Sequence, residues 1–556
     1  MRGNYVNDVS ILIGGKAGDG INSAGFMIAQ LLNHFGYRIY LYFEYPSLIR
    51  GGHNFAIVRG SEHDIGSCRG PVDFVLALNE ETIERHKLQY TKDTVIIANG
   101  DLVKNAAYGI PVKAILAEEK SPAIMGNSAL IGGFAKAAGI EWEIVDAVFR
   151  RHIPKGADRN LAVAKKGFDS TNNIRPITRC KNPPKALVSG NEAIGLGLIR
   201  GGLDAYLSYP MTPSSGILHF LAEEKERFGI TVIQPENEIA VILMALGFAY
   251  AGKKSALGTS GGGFCLMTEG LSFAGMAEIP LVLVVSQRTG PSTGLPTYSG
   301  QSELLFVLYA GHGEFPRLIV APGDAREALH WSENAMNIAW QCQVPAFILA
   351  DKTLSEGIYS LDGESVGNVH GTGTVLWDGR TPYLRYANTE SGVSPLAFPG
   401  ANDAVVKVNS YLHDEAGITA EDAGMTIRMT EKRLNKGRTM TELLRSYEGV
   451  IQSGKRDASY ALLCWGSTKG VCEEAALELG LRVVRPIVLA PFPVDQIKKA
   501  LAGVKRLIAV EENATGQLAD LIEPLGIIAD KNILRVDGRP FTVEELVSRI
   551  KEMGIS

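Results

Sequence analysis

An α/β protein made of three successive α/β units is the fold class the sequence predicts. Short apolar, β-branched runs alternate with helical periodicity, the pattern of parallel sheets with crossover helices. The 556 residues exceed what one core accommodates, and about three or four domains is the expectation. Weakly patterned, turn-rich stretches at 169–184 and 362–448 separate the candidate units.

In the first unit, taken as 1–184, Val9–Ile13 reads as a strand, Gly14–Gly20 as a glycine-rich turn and Ile21–Phe35 as an amphipathic helix. Tyr37–Glu44, Phe55–Gly60, Phe74–Leu78 and Val95–Ala98 add strands, for a three-layer arrangement. Pro176, Pro183 and Pro184 make 169–184 a linker candidate.

The second unit, 185–361, opens with a helix at Gly190–Arg200 and a strand at Ala205–Ser208. A helix at Ser214–Glu226, a strand at Thr231–Gln234 and an apolar helix at Glu238–Ala251 follow. Then come a strand at Ser255–Leu257, a glycine loop at Gly261–Gly263, a helix ending at Ala277 and strands at Leu281–Ser286, Leu318–Ala321 and Ala346–Ala350.

Residues 362–455 read as an irregular connection, with one helix candidate at Thr439–Glu448. The third unit, 456–556, has strands at Ala461–Trp465, Arg482–Pro486 and Arg506–Glu511. Its helices are at Lys469–Leu479, Val494–Ala500 and Gly516–Leu521.

Composition excludes several classes. Hydrophobic residues make up 46% and charged residues 21%, ordinary for a soluble globular protein. The net charge of −5, with no Lys/Arg run, gives no nucleic-acid footprint. No run reaches the roughly 18 apolar residues of a membrane span, and the first eight residues lack a signal-peptide pattern. The six cysteines are scattered without a Cys-x-x-Cys pair, so no metal or cluster is expected on this chain alone. They read as reduced thiols of a cytoplasmic protein.

Three motifs fall at successive strand ends, where open parallel sheets bind ligands. They are Tyr209-Pro210-Met211-Thr212-Pro213-Ser214-Ser215, Pro235-Glu236-Asn237-Glu238 and Arg288-Thr289-Gly290-Pro291-Ser292-Thr293-Gly294. Glu238 opens an apolar helix; it either complements the helix dipole or presents a buried carboxylate to a ring nitrogen. Ser214 and Ser215 suit a helix cap, whereas Thr212 sits on a proline-stiffened turn. Arg288 either closes an internal ion pair or grips a carboxylate. The Gly14–Gly20 loop, with Gly15, Gly18 and Gly20, is either a tight turn or a phosphate cradle, beside Arg50-Gly51-Gly52-His53. It is neither a P-loop nor a dinucleotide fingerprint. Glu511 to Leu518 reads as a helix cap packed against a neighbouring domain.

Taken together these motifs resemble the 2-oxoacid:ferredoxin oxidoreductases, in the fused form where a small gamma domain precedes the alpha subunit. The Gly14–Gly20 loop and Glu44-Tyr45-Pro46-Ser47-Leu48-Ile49-Arg50-Gly51-Gly52-His53 resemble the gamma domain. Gly190-Asn191-Glu192-Ala193, the three strand-end motifs and Gly311-His312-Gly313-Glu314-Phe315-Pro316 follow in family order. The second unit is similar to the pyrimidine-binding domain of thiamine diphosphate enzymes, and the third to the transketolase C-terminal domain.

The resemblance implies thiamine diphosphate, with its pyrimidine half at Glu238, Pro235, Gly261 and Gly262. Glu238 would hydrogen-bond N1′ and so favour formation of the reactive ylid. Thr212, Arg288, Tyr209 and Pro210 would hold the substrate. Coenzyme A would take the acyl group, with Gly15, Gly18, Gly20, Arg50 and Gly51 as its contacts. Gly18-Asp19-Gly20 lacks the following Asn of the diphosphate motif, so Mg2+ and the [4Fe-4S] cluster are implied to reside in a separate beta subunit.

The implied assembly is an (alpha-beta)2 heterotetramer that reduces ferredoxin, or runs in reverse as in a reductive TCA cycle. 2-Oxoglutarate is the favoured substrate, with Pro296–Gln301 bordering the pocket and His312 either a second carboxylate contact or a structural histidine in its glycine-flanked turn. Pyruvate, a branched-chain, an aryl or a C2 2-oxoacid are the alternatives. The rival classes are a non-catalytic assembly subunit and a nucleotide-binding protein or hydrolase built on the Gly14–Gly20 loop.

Overall fold

The computed structural model describes residues 7–47, 52–104, 106–362 and 373–555. It is an α/β structure with three sheets, divided into two compact units. Unit 1 comprises Met1–Val188 with the described parts of Gly357–Val366 and Phe541–Ser556; unit 2 holds Ser189–Glu356 and Gly367–Pro540.

The sheet of unit 1 has eight strands. In spatial order they are Tyr108–Ile110, Val95–Asn99, Phe74–Ala77, Asp8–Lys16, His53–Ser61, Arg38–Glu44, Ile358–Leu361 and Ala186–Ser189. The first strand is longer than the sequence predicts: Gly14, Gly15 and Lys16 pair with Phe55, Asn54 and His53, which leaves a turn of only four residues before the helix Ile21–His34. The helices Gly126–Ala137 and Ala157–Asp169 approach closely through glycine. A Cβ on Gly132 would lie 1.9 Å from the Ala164 carbonyl oxygen, and one on Gly167 2.0 Å from that of Ala129.

The stretch 169–184, expected to be a linker, straps across unit 1 instead. Arg175 pairs with Asp73 at 2.5 Å, Tyr37 donates its hydroxyl to the Thr178 carbonyl at 2.7 Å, and Cys180 N–H donates to Phe35 O. Proline there sets extended backbone rather than freedom. The strand Ile358–Leu361, inside the expected second unit, pairs antiparallel with Arg38–Glu44.

Unit 2 contains the other two sheets. The seven-stranded sheet runs Val488–Ala490, Leu318–Val320, Pro345–Asp351, Leu281–Gln287, Ser255–Thr259, Ala205–Leu207 and Thr231–Ile233. All its neighbouring strands are parallel except Val488–Ala490, which lies antiparallel to Leu318–Val320. The five-stranded sheet is Val450–Gly454, Arg482–Pro486, Tyr460–Leu463, Arg506–Glu511 and Lys531–Leu534.

The expected second and third units therefore share a sheet rather than standing apart. Buried charge adds to the connection. Glu327 accepts from Arg485 at 2.5 and 2.9 Å and from Lys469 at 2.8 Å, and these two cations hold its carboxyl at about 2 despite burial.

The expected irregular connection hides a 22-residue helix, Ala423–Leu444. Its buried face is Met429, Lys432, Arg433, Lys436 and Met440 with Leu444, so no apolar stripe marks it in the sequence. The lysines close on Glu278. Lys432 Nζ donates to both carboxyl oxygens at 2.7 and 3.0 Å, and Lys436 Nζ pairs with Oε2. Arg385 donates to the Glu278 carbonyl at 2.8 Å. Burial raises the Glu278 carboxyl, but Lys436, Lys432 and Arg385 outweigh it and hold it below the ordinary range. Burial beside a second ammonium, against the pull of Glu278, lowers Lys436 to about 7.

Candidate active site

The site forms where the seven-stranded sheet changes direction. Thr231–Ile233 and Ser255–Thr259 flank Ala205–Leu207 on opposite sides, and the crevice at the carboxyl ends of such strands is where ligands bind. A cavity of about 650 Å3 opens there. It is lined by residues following four adjacent strands, including Tyr209, Glu238, Ser260 to Gly262, Arg288 and Gly290 to Thr293, and by Glu303 and Phe306.

Glu238 begins the helix Glu238–Tyr250 and is only 5% exposed. The helix is capped by Asn237, whose side chain accepts from Ala240 N–H at 3.0 Å. Capping is thus done by a neighbour, and the Glu238 carboxyl stands at the cavity wall. It rests on a glycine: a Cβ at Gly263 would lie 2.6 Å from Glu238 Oε1 and 2.2 Å from Thr259 Oγ1. Gly261–Gly263, read as a loop, is the first turn of a short helix, Gly261–Cys265, whose bare face admits two carboxyls. The second belongs to Glu303, since a Cβ at Gly261 would lie 2.9 Å from Glu303 Oε1.

Arg288 is buried at the end of Leu281–Gln287. Its Nη1 donates to the Thr212 carbonyl at 2.9 Å, and its Nε is buried without a partner. Burial lowers the guanidinium below its ordinary value, against the pull of Glu303. Ser260 Oγ and Glu303 Oε2 are likewise buried without partners. Orphaned buried donors and acceptors are costly in a folded protein, and several around one cavity suit a polar ligand.

Among the residues the sequence singled out, Tyr209, Glu238, Gly261, Gly262 and Arg288 come together here. Thr212 contributes its carbonyl to Arg288 and does not line the cavity; nor do Pro210 and Pro235. Ser214 occupies the cap position of Ser215–Phe228, but its hydroxyl donates back to Met211 O at 2.8 Å.

Two features tied to substrate selection lie away from this cavity. His312 is exposed and its N–H donates to Ser272 Oγ at 2.9 Å; it is not part of the cavity. The segment 296–301 supplies no lining residue, because Ser299 N–H is held by Gly538 O and Gln301 by Glu512.

Glu303 is the functional candidate that sequence reasoning missed. Burial pushes its carboxyl up to about 7, against the pull of the Ser302 hydroxyl at 2.9 Å and of Arg288. Its placement is long-range. Glu303 N–H donates to Gln287 Oε1 at 3.0 Å, while Gln517 accepts from Leu305 N–H at 3.1 Å and donates to Ser302 O at 2.7 Å. The segment Glu511 to Leu518, read as a cap and packing element, provides this grip.

In unit 1 the Gly14–Gly20 loop uses much of its own hydrogen-bonding capacity. Lys16 N–H donates to Asp19 Oδ2 at 2.8 Å, Ala17 N–H to Gly52 O and Asp19 N–H to Lys16 O. Gly18 is exposed, and Gly20 precedes the helix without a side-chain cap. Arg50 and Gly51 lie outside the described residues. Among the described residues no group of three or more His, Cys, Asp or Glu could hold a metal ion, and no helix is long and apolar enough to cross a membrane.

Comparison with known proteins shows the family. The family model "Pyruvate flavodoxin/ferredoxin oxidoreductase, thiamine diP-bdg" matches residues 196–432, and "Pyruvate ferredoxin/flavodoxin oxidoreductase" matches 10–170. The 2-oxoacid:ferredoxin oxidoreductase 2 alpha subunit of Aeropyrum pernix is 32% identical, over 98% of each chain. The alpha subunit from Saccharolobus solfataricus is 30% identical over 98% of this chain and 97% of its own.

The solved 2-oxoglutarate:ferredoxin oxidoreductase of Magnetococcus marinus, with 2-oxoglutarate, coenzyme A and succinyl-CoA bound, superposes with a TM-score of 0.90. It is 31% identical and covers 98% of this chain and 99% of its own. Along nearly its whole length, then, this chain belongs to the alpha subunits of the 2-oxoacid:ferredoxin oxidoreductases.

Proposed function

We propose that this chain, with a partner beta subunit, catalyses coenzyme A-dependent oxidative decarboxylation of a 2-oxoacid, 2-oxoglutarate in the first instance, to acyl-CoA and CO2, the electrons passing singly to ferredoxin. The observation that carries the reading is the convergence of buried Glu238 and incompletely paired Arg288 on one cavity at the sheet's switch point. The preference for 2-oxoglutarate rests on the Magnetococcus marinus enzyme and on relatives such as the 26% identical 2-oxoglutarate oxidoreductase subunit KorA of Mycobacterium tuberculosis.

Thiamine diphosphate, when bound, supplies the electron sink for loss of CO2. Glu238 would hold a proton between its carboxyl and N1′ of the aminopyrimidine, on the bare face of Gly261–Gly263. Arg288, pinned through Nη1 by Thr212 O, keeps Nε–H for the substrate carboxylate. Met211, Leu266 and Phe306 give the same cavity an apolar wall. Mg2+ and a [4Fe-4S] cluster are assigned to the beta subunit, and coenzyme A to the loop at Gly18 and Gly20, whereas Gly15, expected as a third contact, is buried in the first strand opposite Asn54.

The cavity mouth supports the assignment of a partner. Ile239, Leu243 and Met244 on the helix behind Glu238 are exposed, as are Leu266 and Tyr209; clustered apolar exposure marks an interface. Leu243→Glu is expected to stop co-purification of the beta chain while leaving this chain's own melting midpoint within about a degree, because Leu243 is not in the core. Size-exclusion chromatography of the co-expressed pair reads the outcome.

Gly263→Ala tests the site's shape. The added methyl must displace the Glu238 carboxyl or Thr259, so kcat is expected to fall at least about 100-fold in an assembled complex. Wild-type turnover in that variant would contradict the seating of Glu238.

The whole reading is tested by coenzyme A-dependent viologen reduction, measured anaerobically on the co-expressed, cluster-loaded complex with 2-oxoglutarate, pyruvate, branched-chain, aryl and C2 2-oxoacids. Reduction with one preferred 2-oxoacid supports the reading and names the substrate. An assembled complex that reduces viologen with none of them sinks it.

A further inference from the structure

Arg288 and Glu303 line the same cavity, and each carries a buried polar atom without a partner: Nε of Arg288 and Oε2 of Glu303. No ion pair joins them, although their charges are felt mutually. A cation meant for a substrate carboxylate thus stands near a carboxyl of the protein's own. Ionised, that carboxyl is an internal competitor for the substrate's place; protonated, it is not.

We propose that Glu303 is a proton-gated positioning residue, whose protonated form leaves the Arg288 guanidinium to the carboxylate of the incoming 2-oxoacid and whose ionised form competes for it. The inference rests on the 2-oxoacid reading above.

Three features support it. Glu303 cannot turn away to solvent, since Gln287 and Gln517 fix its backbone and its side chain lies against Gly261. The charge beside it is simple: Arg288, the one cation among the described lining residues, pulls the Glu303 carboxyl down, and Glu238 is the other carboxyl of the lining. Its carboxyl, raised by burial to about 7, changes charge in the working range.

The linkage has a definite sign. A 2-oxoacid carboxylate is ionised throughout pH 6–9, so binding beside protonated Glu303 requires the proton to be present. Above pH ~7 the apparent KM for the 2-oxoacid should rise, approaching about tenfold per pH unit.

The experiment measures KM and kcat for the preferred 2-oxoacid from pH 6 to 9, at saturating coenzyme A, with the assembled complex. Wild type is compared with Glu303→Gln, which keeps the neutral shape, and with Glu303→Asp, whose shorter, better solvated carboxyl should move the midpoint to lower pH. The expected result is a KM that climbs above pH ~7 in wild type and stays level in Glu303→Gln, while kcat does not share that dependence.

A level wild-type KM overturns the proposal whether or not either variant assembles. So does a Glu303→Gln enzyme that keeps the wild-type slope, or an unmoved midpoint in Glu303→Asp. Failure of the parent reading looks different: no 2-oxoacid is turned over by wild type at any pH.

Discussion

Glu238→Ala is expected to reduce turnover by about 10^3-fold or more, with the complex still assembled and the chain still folded. Removing a positioned acid–base group costs roughly 10^2–10^4-fold in general, and Glu238 is the carboxyl set against Gly263 on the cavity wall. Folding should survive because Asn237, not Glu238, caps the helix, and Gly263 then faces a void rather than a clash. Glu238→Gln, which keeps the volume but cannot take up a proton, should lose nearly as much. The assay is viologen reduction at saturating 2-oxoacid and coenzyme A, beside size-exclusion of the same preparation. Activity within tenfold of wild type in a folded, assembled Glu238→Ala complex would remove the residue from the chemistry.

The largest expected effect on stability lies away from the site. Glu278→Gln should destabilise unit 2 by about 3–5 kcal/mol, because breaking a buried ion pair from one side strands the other. Here it strands two ammonium groups, Lys432 and Lys436, near the Arg385 guanidinium. The Glu278 carboxyl lies below its ordinary value, so its contribution is full at neutral pH and fades only as the medium falls below about pH 4.

Lys436 behaves oppositely. Its ammonium is lowered to about 7, so between pH 7 and about 10 the unfolded chain binds the extra proton and stability rises with pH. Lys436→Met should abolish that rise and cost far less at pH 7, since Lys432 remains on Glu278. Thermal melts of both variants from pH 4 to 9 decide it. Equal losses at neutral pH would mean that the cluster is not a carboxylate shared between two lysines.

What the sequence made legible follows where the energy is local. Gly190–Arg200, Lys469–Leu479 and Val494–Ala500 were readable to the residue, because apolar periodicity and flanking Gly or Pro agree within a dozen positions, with a Ser189 capping box on the first. Ala423–Leu444 was not readable, since its buried face is cationic and is paid for by Glu278, more than 140 residues earlier. Tyr209, Glu238 and Arg288 were legible because strand ends announce themselves by apolar runs broken at Pro or Gly.

Glu303 gave no such sign. Between Ser302 and Leu304 it looks like any acid ahead of a helix, and only Gln287 and Gln517 show where it is held. His312, open in the sequence to either a carboxylate contact or a structural place in its glycine-flanked turn, is exposed and lies away from the cavity lining.

The shared sheet of unit 2 bears on recombination among relatives. Val488–Ala490 completes the seven-stranded sheet from the far side of the 455/456 boundary, and Arg485 and Lys469 reach Glu327 across it. A hybrid spliced at that boundary would pair strand edges, and mate a buried carboxylate with cations, from different ancestors. The smallest exchangeable module on the substrate side is therefore the whole of unit 2, with the Gln301–Glu512 and Ser302–Gln517 contacts inherited together.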